Sequence, residues 1–361
     1  MKILIAAGGT GGHFYPGLAL YHELKKRGDA VRFVIRRRDF VTPLLNREKI
    51  SYGTISAGGF ERRLCVQNFV SLFKLILGFA QSFFLLIRFR PDRVVVMGGY
   101  LSVPVALAAR ILSVPVILHE QNLKPGLANR CLDRLASQVA VSFDDSRRFF
   151  KTPSVVTGNP VRADFEQLPD RTEVCAAWNL DPRKKTILVF GGSLGAHRLN
   201  ELMVQAVQGL SHRKESFQVC HWTGPQDEEM VRGAYESFGV QCNVESYCHE
   251  MPKAFSVCDL VVCRSGASTI SELVAVKRPA ILIPYPLATE AHQLANANLL
   301  AAWGVAHVYE ESSLRNGELQ GILSAFLLNG VALEEMKRRY SEIHLKPFLS
   351  AGLIADLVHH V

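Results

Sequence analysis

Twice along the chain, a short apolar run leads into a glycine-rich turn and then into a helical pattern. Residues 3–7 precede the turn GGTGGH at residues 8–13, and residues 186–190 precede the turn GGSLGA at residues 191–196. Glycine permits positive φ and a close approach of the backbone to a ligand, and the N-terminus of a helix attracts anions. The sequence therefore predicts two nucleotide-binding-type domains, with a ligand phosphate in the cleft between them.

The alternation of strand-like and helical segments predicts an α/β fold of two Rossmann-like, doubly wound parallel sheets facing each other across a cleft. The chain has 361 residues, of which 48% are hydrophobic, and this is enough for a core in each of two domains. We expect domains at residues 1–157 and 158–341. A C-terminal helix within residues 342–361 could dock on either domain, and we expect it on the first. Predicted strands cover residues 3–7, 30–36, 94–97, 116–119, 138–141, 187–190, 218–222, 243–247, 260–263, 280–284 and 306–309.

The charge is unevenly distributed between the two halves of the chain. Residues 1–157 hold 23 Lys and Arg against 10 Asp and Glu, a net charge of +13, whereas residues 158–361 hold 18 against 23, a net charge of −5. The first half therefore favours an acidic partner, either an anionic membrane surface or a phosphate-bearing substrate. Nucleic acid is not an expected partner, because no RNA-binding aromatic signature, helix-turn-helix pattern or basic tail is present.

Several classes of site lack their sequence signal. The eight cysteines form no C-x-x-C pair and no zinc spacing, so we expect free thiols in a reducing cytoplasm and no metal. Where a nicotinamide-dependent enzyme would carry an acidic residue, the chain has Arg36, Arg37 and Arg38. No Asp-x-Asp is present to hold a divalent ion. We therefore expect neither a nicotinamide cofactor nor any other cofactor.

One apolar segment, residues 69–87, reads FVSLFKLILGFAQSFFLLI. Its length approaches the roughly 20 residues that span a bilayer, but Lys74 and Gln81 interrupt it and it occupies the place of a crossover helix. Arg62, Arg63, Arg88 and Arg90 flank it, which suits an anionic membrane surface. Three interpretations stay open: a spanning helix, a helix in contact with the membrane surface, and a buried core helix.

Polar residues of the first half follow predicted strand ends, where ligands bind in open α/β sheets. His13 closes the first glycine turn at a helix start, where the helix dipole favours the neutral imidazole that a general base requires; a purely structural role is the alternative. His119, Glu120 and Asn122 follow another strand. Asn122 could bind a sugar hydroxyl, while His119 and Glu120 could serve chemistry or structure.

Two further motifs follow strands of the second half. Residues 264–272 read RSGASTISE, in which the amides of residues 267–269 could bind phosphate oxygens and Glu272 could bind ribose hydroxyls. The alternative is a capping box starting at Ser268. Residues 284–297 carry His292 and Gln293, which could contact the hydroxyls of a sugar.

Taken in order, these motifs resemble the MurG family of GT-B-type glycosyltransferases. The resemblance rests on GGTGGH, residues 97–100 (MGGY), 119–122 (HEQN), 158–162 (GNPVR), 191–196, 264–272 and 292–297, and so covers nearly the whole chain. It implies transfer of N-acetylglucosamine (GlcNAc) from its UDP donor to polyprenyl-pyrophosphate-linked MurNAc-pentapeptide, at the cytoplasmic face of the membrane. The polyprenyl chain is undecaprenyl in the implied lipid I to lipid II step of peptidoglycan synthesis.

The resemblance also implies roles for residues of the first half. Thr10, Gly11 and Gly12 would lie near the donor and the acceptor diphosphate. His13 would be the base for the acceptor 4-hydroxyl in an inverting single displacement. Asn122 would hold the donor sugar.

For the donor site, the resemblance assigns Arg162 and Ser193 to the diphosphate, the backbone at Cys248 to uracil and Glu272 to the ribose. The other implied contacts to UDP-GlcNAc are made by Ala267, Ser268, Thr269, Ile270, Ser271, His292 and Gln293. Alternatives are another UDP-sugar transferase acting on glycolipid, a UDP-GlcNAc epimerase and a non-catalytic scaffold that binds UDP-sugar. An epimerase would need carboxylates at the reacting sugar, and Glu120 is the obvious candidate.

Overall fold

A computed structural model of the chain describes residues 1–59, 66–192, 195–288, 291–315, 317–328 and 330–361. The chain forms two compact units, which comprise Met1–Arg162 with Lys346–Val361, and Ala163–Leu345. The first boundary thus lies five residues beyond the predicted one. The C-terminal segment belongs to the first unit, where its helix packs on the first helix of the chain.

Within its described residues, the first unit contains a seven-stranded parallel sheet in the order β3-β2-β1-β4-β5-β6-β7. Its strands are β1 (Lys2–Ala6), β2 (Ala30–Arg36), β3 (Tyr52–Ile55), β4 (Arg93–Val96), β5 (Val116–Glu120), β6 (Gln138–Val141) and β7 (Ser154–Val156). Its helices are α1 (Gly11–Lys26), α2 (Thr42–Arg47), α3 (Val66–Phe89), α4 (Ser102–Ile111), α5 (Leu127–Leu132) and, at the C-terminus, α14 (Pro347–His360). The central strands are buried apolar runs, as expected for a parallel sheet covered on both faces.

The second unit repeats this plan with a six-stranded parallel sheet, in the order β10-β9-β8-β11-β12-β13 among the described residues. Its strands are β8 (Lys185–Phe190), β9 (Phe217–Trp222), β10 (Cys242–Glu245), β11 (Leu260–Cys263), β12 (Ala280–Leu282) and β13 (Ala306–Val308). Its helices are α6 (Arg171–Ala177), α7 (His197–Leu210), α8 (Glu228–Ser237), α9 (Met251–Val257), α10 (Ala267–Val276), α11 (His292–Ala302), α12 (Glu318–Leu328) and α13 (Gly330–Arg339).

The predicted strands all form, and the sequence prediction misses only the short edge strands β3 and β7 among the described residues. Edge strands bury less side-chain surface than central strands, so their apolar signal is weaker. In both sheets the strand order reverses beside the first strand of the unit, β1 or β8. The glycine turns follow β1 and β8 and so lie at the carboxyl edge beside this reversal, which is where open α/β sheets bind ligands.

Candidate functional site

The first glycine turn is held by a buried carboxylate. Gly9 has φ +78°, and its amide donates to Asp39 Oδ2 at 2.8 Å. A Cβ on Gly8 would lie 2.7 Å from the same oxygen, so a side chain there would displace Asp39. Asp39 is 4% exposed and follows β2, the strand next to β1. Asp39 was not predicted as a site residue, although an acidic residue three positions after the end of β2 is a signal that could have shown it.

Helix α1 begins immediately after this turn, and its first turn holds no acidic residue. Thr10 has the extended backbone of an N-cap, and its hydroxyl lies 2.9 Å from His13 Nδ1. A Cβ on Gly17 would lie 2.8 Å from the Cβ of Ala7, so the missing side chain lets α1 pack close to the end of β1. The amino end of α1, with Gly11 and Gly12, therefore lies at the carboxyl edge as an anion site requires.

The imidazole of His13 packs against the backbone of the turn after β4. Gly98 and Gly99 have φ +90° and +74°. A Cβ on Gly98 would lie 3.3 Å from His13 Cδ2, and one on Gly99 would lie 3.2 Å from Cε1. The two glycines thus leave room for the ring, while Thr10 bonds Nδ1. The orientation of His13 is fixed by residues some 85 positions away, a contact that the sequence did not predict.

His119 is a structural residue of the first unit. It is fully buried, with Nε2 3.1 Å from the carbonyl of Gly158 and Nδ1 3.1 Å from the side-chain nitrogen of Gln121. Because the amide of Gln121 donates to Nδ1, Nε2 carries the proton and donates to Gly158. Burial lowers the pKa of His119 to about 4, so the ring is neutral at physiological pH. Of the two roles left open, the structure supports the structural one.

Glu120 positions Asn122. Its Oε1 accepts from the Asn122 backbone amide at 2.8 Å and side-chain amide at 3.2 Å, and its Oε2 accepts from Asn129 at 2.8 Å. Burial raises the pKa of Glu120 to about 7, although these hydrogen bonds act in the opposite direction. The carboxylate is thus engaged inside the unit, and Asn122 lies half-buried at the edge.

Arg162 is held beside α1 of the same unit. Its guanidinium lies over the ring of Tyr15, 5.1 Å from the centroid. The arginine is half-buried, and such a contact with an aromatic face limits the positions that the charge can occupy. Arg162, which is predicted to bind the diphosphate, is therefore a cation held near the amino end of α1.

The second glycine turn has the same tight construction. Gly192 and Gly195 have φ +103° and +78°, and a Cβ on Gly195 would lie 2.1 Å from the carbonyl oxygen of Thr223. Asp227 accepts from Asn200 at 2.7 Å and pairs with His197 at 2.9 Å, which raises the pKa of His197. These contacts tie α7 to the end of β9. Ser193, predicted to contact the diphosphate, lies outside the described residues.

Helix α10 begins at Ala267, and Gly266 is its N-cap, with φ −63° and ψ 152°. The alternative of a capping box that starts at Ser268 is therefore wrong, because Ser268 already lies within the helix. Ser268, Thr269 and Glu272 are half-buried, so part of each side chain is open to solvent, and the predicted donor contacts stay a prediction.

Two other predicted donor residues on α10 face the interior. Ile270 is 1% exposed and its amide donates to Gly266, while the Ser271 hydroxyl donates to the carbonyl of Ala267 at 3.1 Å. The Ile270 and Ser271 side chains thus pack inside the unit, and the binding role predicted for these two residues stays a prediction.

Two hydrogen bonds tie the start of α11 to its surroundings, one of them to the end of β11. The Ser265 hydroxyl donates to the carbonyl of Gln293 at 2.8 Å, and Gln293 Oε1 accepts from the amide of Tyr285 at 2.9 Å. Ala291, before the helix, has φ +53°. His292 and Gln293 are half-buried, and the loop after β12 is fixed to them.

Arg264 is buried at the end of β11 and connects the loop after β12 to Glu311. It donates to the carbonyls of Ile283 and Pro284 at 3.0 and 3.2 Å, and it forms an ion pair with Glu311. Glu311 was not predicted. A cavity of about 630 Å³ opens nearby, and none of the predicted site residues is among those that line it, which are Arg198, Pro286, Glu311, Ser312, Leu314 and Arg315.

The loop after β10 carries the remaining predicted residue. Cys248 is buried, so its thiol is shielded from solvent. Among the described residues, no cluster of three or more His, Cys, Asp and Glu side chains could hold a metal ion.

Helix α3 exposes an apolar surface. The segment Phe69–Phe89 has a mean hydropathy of 2.0, and only 22% of its most apolar window is buried. The interpretation as a core helix is therefore wrong for most of its length. The side that packs on the unit carries small residues such as Gly78 together with apolar ones such as Leu86, which is 1% exposed, and the Gln81 side chain accepts from the Ser56 amide at 2.7 Å. Large side chains face outward at 37–77% exposure: Phe69, Val70, Leu72, Phe73, Ile76, Leu77, Phe84 and Ile87.

Comparison with known proteins defines the family. The model of the glycosyltransferase family 28 N-terminal domain matches residues 3–141, and that of the family 28 C-terminal domain matches residues 186–348. The chain belongs to glycosyltransferase family 28. The relationship to MurG proteins predicted from the sequence is confirmed by relatives and by a solved structure.

A relative from Elusimicrobium minutum is 35% identical over 359 residues, which is 99% of each chain; it is named UDP-N-acetylglucosamine--N-acetylmuramyl-(pentapeptide) pyrophosphoryl-undecaprenol N-acetylglucosamine transferase. The crystal structure of Acinetobacter baumannii MurG superimposes with a TM-score of 0.76 at 29% identity, covering 100% of this chain and 99% of the other. A UDP-GlcNAc 2-epimerase from Neisseria meningitidis has a TM-score of 0.71 over the full length of both chains at 15% identity, which shows a shared fold alone. The predicted fold class, two parallel-sheet α/β domains of the GT-B type, is thus confirmed for this family 28 member.

Proposed function

We propose that this chain transfers GlcNAc from UDP-GlcNAc to the 4-hydroxyl of undecaprenyl-pyrophosphoryl-MurNAc-pentapeptide, with inversion at the anomeric carbon. The observation that carries the proposal is a 35% sequence identity, over 99–100% of both chains, with relatives that bear the name of this transferase. The reaction is a step of peptidoglycan synthesis. It needs an activated hydroxyl, a stabilised leaving group and access to a lipid-linked acceptor.

His13 is the proposed base. The acceptor oxygen attacks the anomeric carbon and the bond from that carbon to the diphosphate breaks, so UDP leaves with the bonding electrons. The hydroxyl proton passes to His13. In the tautomer in which Nδ1 donates to the Thr10 hydroxyl, 2.9 Å away, Nε2 carries no proton and is the nitrogen that would take it. The glycines after β4 support this role, since their missing side chains leave the ring in one orientation.

The proposed donor site combines helix ends and charged side chains. Negative charge that develops on the diphosphate would be stabilised by Arg162 and by backbone amides at helix N-termini, without a metal or a cofactor. Glu272 would bind the ribose and Asn122 the sugar. The remaining proposed contacts follow the sequence prediction: Thr10, Gly11, Gly12 and Ser193, the backbone at Cys248, Ala267, Ser268 and Thr269, and the hydroxyl contacts of His292 and Gln293.

The same proposal places the protein at the cytoplasmic face of the membrane as a peripheral protein. The outward apolar side chains of α3 support it, because exposed apolar surface of this size marks an interaction site. Lys74, Arg88 and Arg90 are exposed on or next to the helix and would attract anionic lipids.

The first test measures UDP release from UDP-GlcNAc with and without a short-chain polyprenyl-pyrophosphoryl-MurNAc-pentapeptide. We expect acceptor-dependent release and a new disaccharide product. Conversion of the donor to another sugar without acceptor would instead indicate an epimerase. Donor binding with no turnover on any lipid acceptor would contradict the proposal and favour a scaffold.

The His13→Ala variant tests the assignment of the base. We expect kcat to fall by at least about 100-fold, while the Kd for UDP-GlcNAc, measured by calorimetry, changes less than about twofold. His22→Ala is the matched control, since His22 lies on the same helix and its side chain is half exposed. An equal loss of turnover and donor binding in His13→Ala would show that His13 acts mainly in binding.

A further inference from the structure

Three consecutive arginines at the end of β2 have no role in the site described above. Arg36, Arg37 and Arg38 are all exposed. No side chain in the described part of the chain forms an ion pair with them, whereas Arg27 and Arg147 of the same unit pair with carboxylates. Like charges repel when they are placed together without a counter-charge, so this arrangement favours an anionic ligand.

The sheet order places these arginines beside the first glycine turn. Strand β2 lies between β1 and β3, and neighbouring strands are about 4.8 Å apart. The amide of Arg37 donates to the carbonyl of Ile55 at the end of β3. On the other side, Asp39 bonds the amide of Gly9 in the glycine turn.

The direction of α3 brings its apolar side chains to the same edge. A Cβ on Gly53 would touch Leu85, one on Gly78 would touch the carbonyl of Ser56, and Ser71 donates to the carbonyl of Gly59 at 2.6 Å. Helix α3 therefore runs antiparallel to β3, with its N-terminal part beside the loop that follows β3 at the carboxyl edge. The exposed Phe69 and Phe73 belong to that part.

The carboxyl edge of the first unit thus presents three chemistries. They are the apolar side chains in the N-terminal part of α3, the three guanidinium groups, and the glycine turn with His13. A polyprenyl-diphosphoryl sugar combines an apolar chain, a diphosphate and a sugar, so each of its parts has a matching chemistry at this edge. Arginine matches phosphate well, because its planar fork of donors binds two oxygens at once.

The backbone at Arg38 supports a specialised role for this segment. Arg38 has φ +55°, in the left-handed region, although the segment is not the end of a helix. A residue other than glycine adopts this conformation only at an energetic cost. The buried, bonded carboxylate of Asp39 anchors the chain at the next position. Strain that the surrounding contacts maintain is typical of functional segments.

We propose that Arg36, Arg37 and Arg38 bind the diphosphate of the lipid-linked acceptor. This assignment rests on the proposed transferase function and adds the residues that recognise the acceptor. Anionic phospholipids also present phosphate, so the experiment must separate the acceptor diphosphate from lipid headgroups.

The test uses the full chain with all three arginines changed to glutamine. The matched control changes Lys2, Lys25 and Lys26 to glutamine, which removes the same charge at the opposite edge of the unit. Binding of a short-chain polyprenyl diphosphate is measured in neutral detergent, without phospholipid. We expect the arginine variant to bind it at least about tenfold more weakly and the control to bind it within about twofold of the unmodified protein. The KM for the acceptor should rise in parallel, while the KM for UDP-GlcNAc stays the same.

Equal weakening in both variants would overturn the proposal, because it would show a general effect of net charge. Unchanged binding in detergent, together with lost binding to phosphatidylglycerol vesicles, would also overturn it and assign the arginines to lipid headgroups. If the unmodified protein binds the polyprenyl diphosphate through these arginines but transfers no sugar, the anion site stands and the proposed transferase function fails.

Discussion

Gly99→Ala tests whether the backbone after β4 holds the proposed catalytic base in place. Gly99 has φ +74°, so alanine there costs about 1 kcal/mol of stability from the left-handed backbone alone. The added Cβ would lie 3.2 Å from His13 Cε1 and 3.4 Å from Nδ1. The first distance is shorter than an ordinary contact by a few tenths of an ångström, so we expect the ring to move by that amount and to strain its 2.9 Å hydrogen bond to Thr10.

The magnitude follows from this displacement. A shift of about 1 Å in a catalytic group can reduce the rate on the order of 100-fold, so a shift of a few tenths should reduce kcat by about 10-fold or somewhat more. The Kd for UDP should change less than about twofold, because the nucleotide contacts are proposed to lie elsewhere.

Gly28→Ala is the matched control for backbone strain. Gly28 has φ +86° at the far end of α1, and nothing lies within 4 Å of its would-be Cβ. Both variants should lose a similar amount of stability in thermal unfolding, but only Gly99→Ala should lose turnover in a steady-state assay of UDP release. If the two variants have the same kcat, the contact between Gly99 and His13 has no catalytic role and the argument fails.

Two further perturbations test the first unit. Burial raises the pKa of the Glu120 carboxyl from 4.5 to about 7, so the folded protein binds the carboxyl proton more tightly than the unfolded chain does. The stability that this proton contributes is fully present below pH 4.5 and is lost as the pH rises through 7. Glu120→Gln should therefore remove about 3 kcal/mol of the change in unfolding free energy between pH 4.5 and 8. Urea titration with hydrogen exchange of β5 amides measures this change. An unchanged pH dependence would show that burial does not raise the pKa of Glu120. Changing Phe73 and Ile76 to serine should weaken binding to phosphatidylglycerol vesicles by roughly tenfold or more, because both exposed side chains would lose contact with lipid. Val331→Ser, at a 78% exposed residue of the second unit, should not weaken it, and an equal loss would contradict a membrane role specific to α3.

The donor motifs show which part of the site the sequence could predict. Each glycine turn, and the start of α10, is a local pattern of strand, small residues and helix, so its position at a sheet edge follows from the order of the elements. Their neighbours were not predictable in this way. Asp39 contacts Gly9 across 30 positions of the chain, and Glu311 contacts Arg264 across 47, so both contacts depend on the tertiary fold.

The same limit explains the individual outcomes on α10 and β5. Ile270 and Ser271 belong to the motif that resembles the family's donor site, yet helical geometry turns their side chains inward. His119 and Glu120 are chemically able residues at a strand end, but both are buried and bonded within the unit. The residue type shows which chemistry a side chain could perform, whereas its burial in the fold determines whether a substrate can contact it.

The sequence alone determined the two parallel-sheet domains, the glycine turns and the family, because periodicity and glycine spacing are local properties of the chain. The tertiary structure decided which apolar and polar groups are covered. In α3, apolar residues surround the helix, so their spacing could not separate a buried helix from a surface one. Only the packing of its small residues against the loop after β3 shows that the large side chains face outward. Likewise, His13 is oriented by Gly99 because β1 and β4 are neighbours in the sheet, although they are remote in the chain.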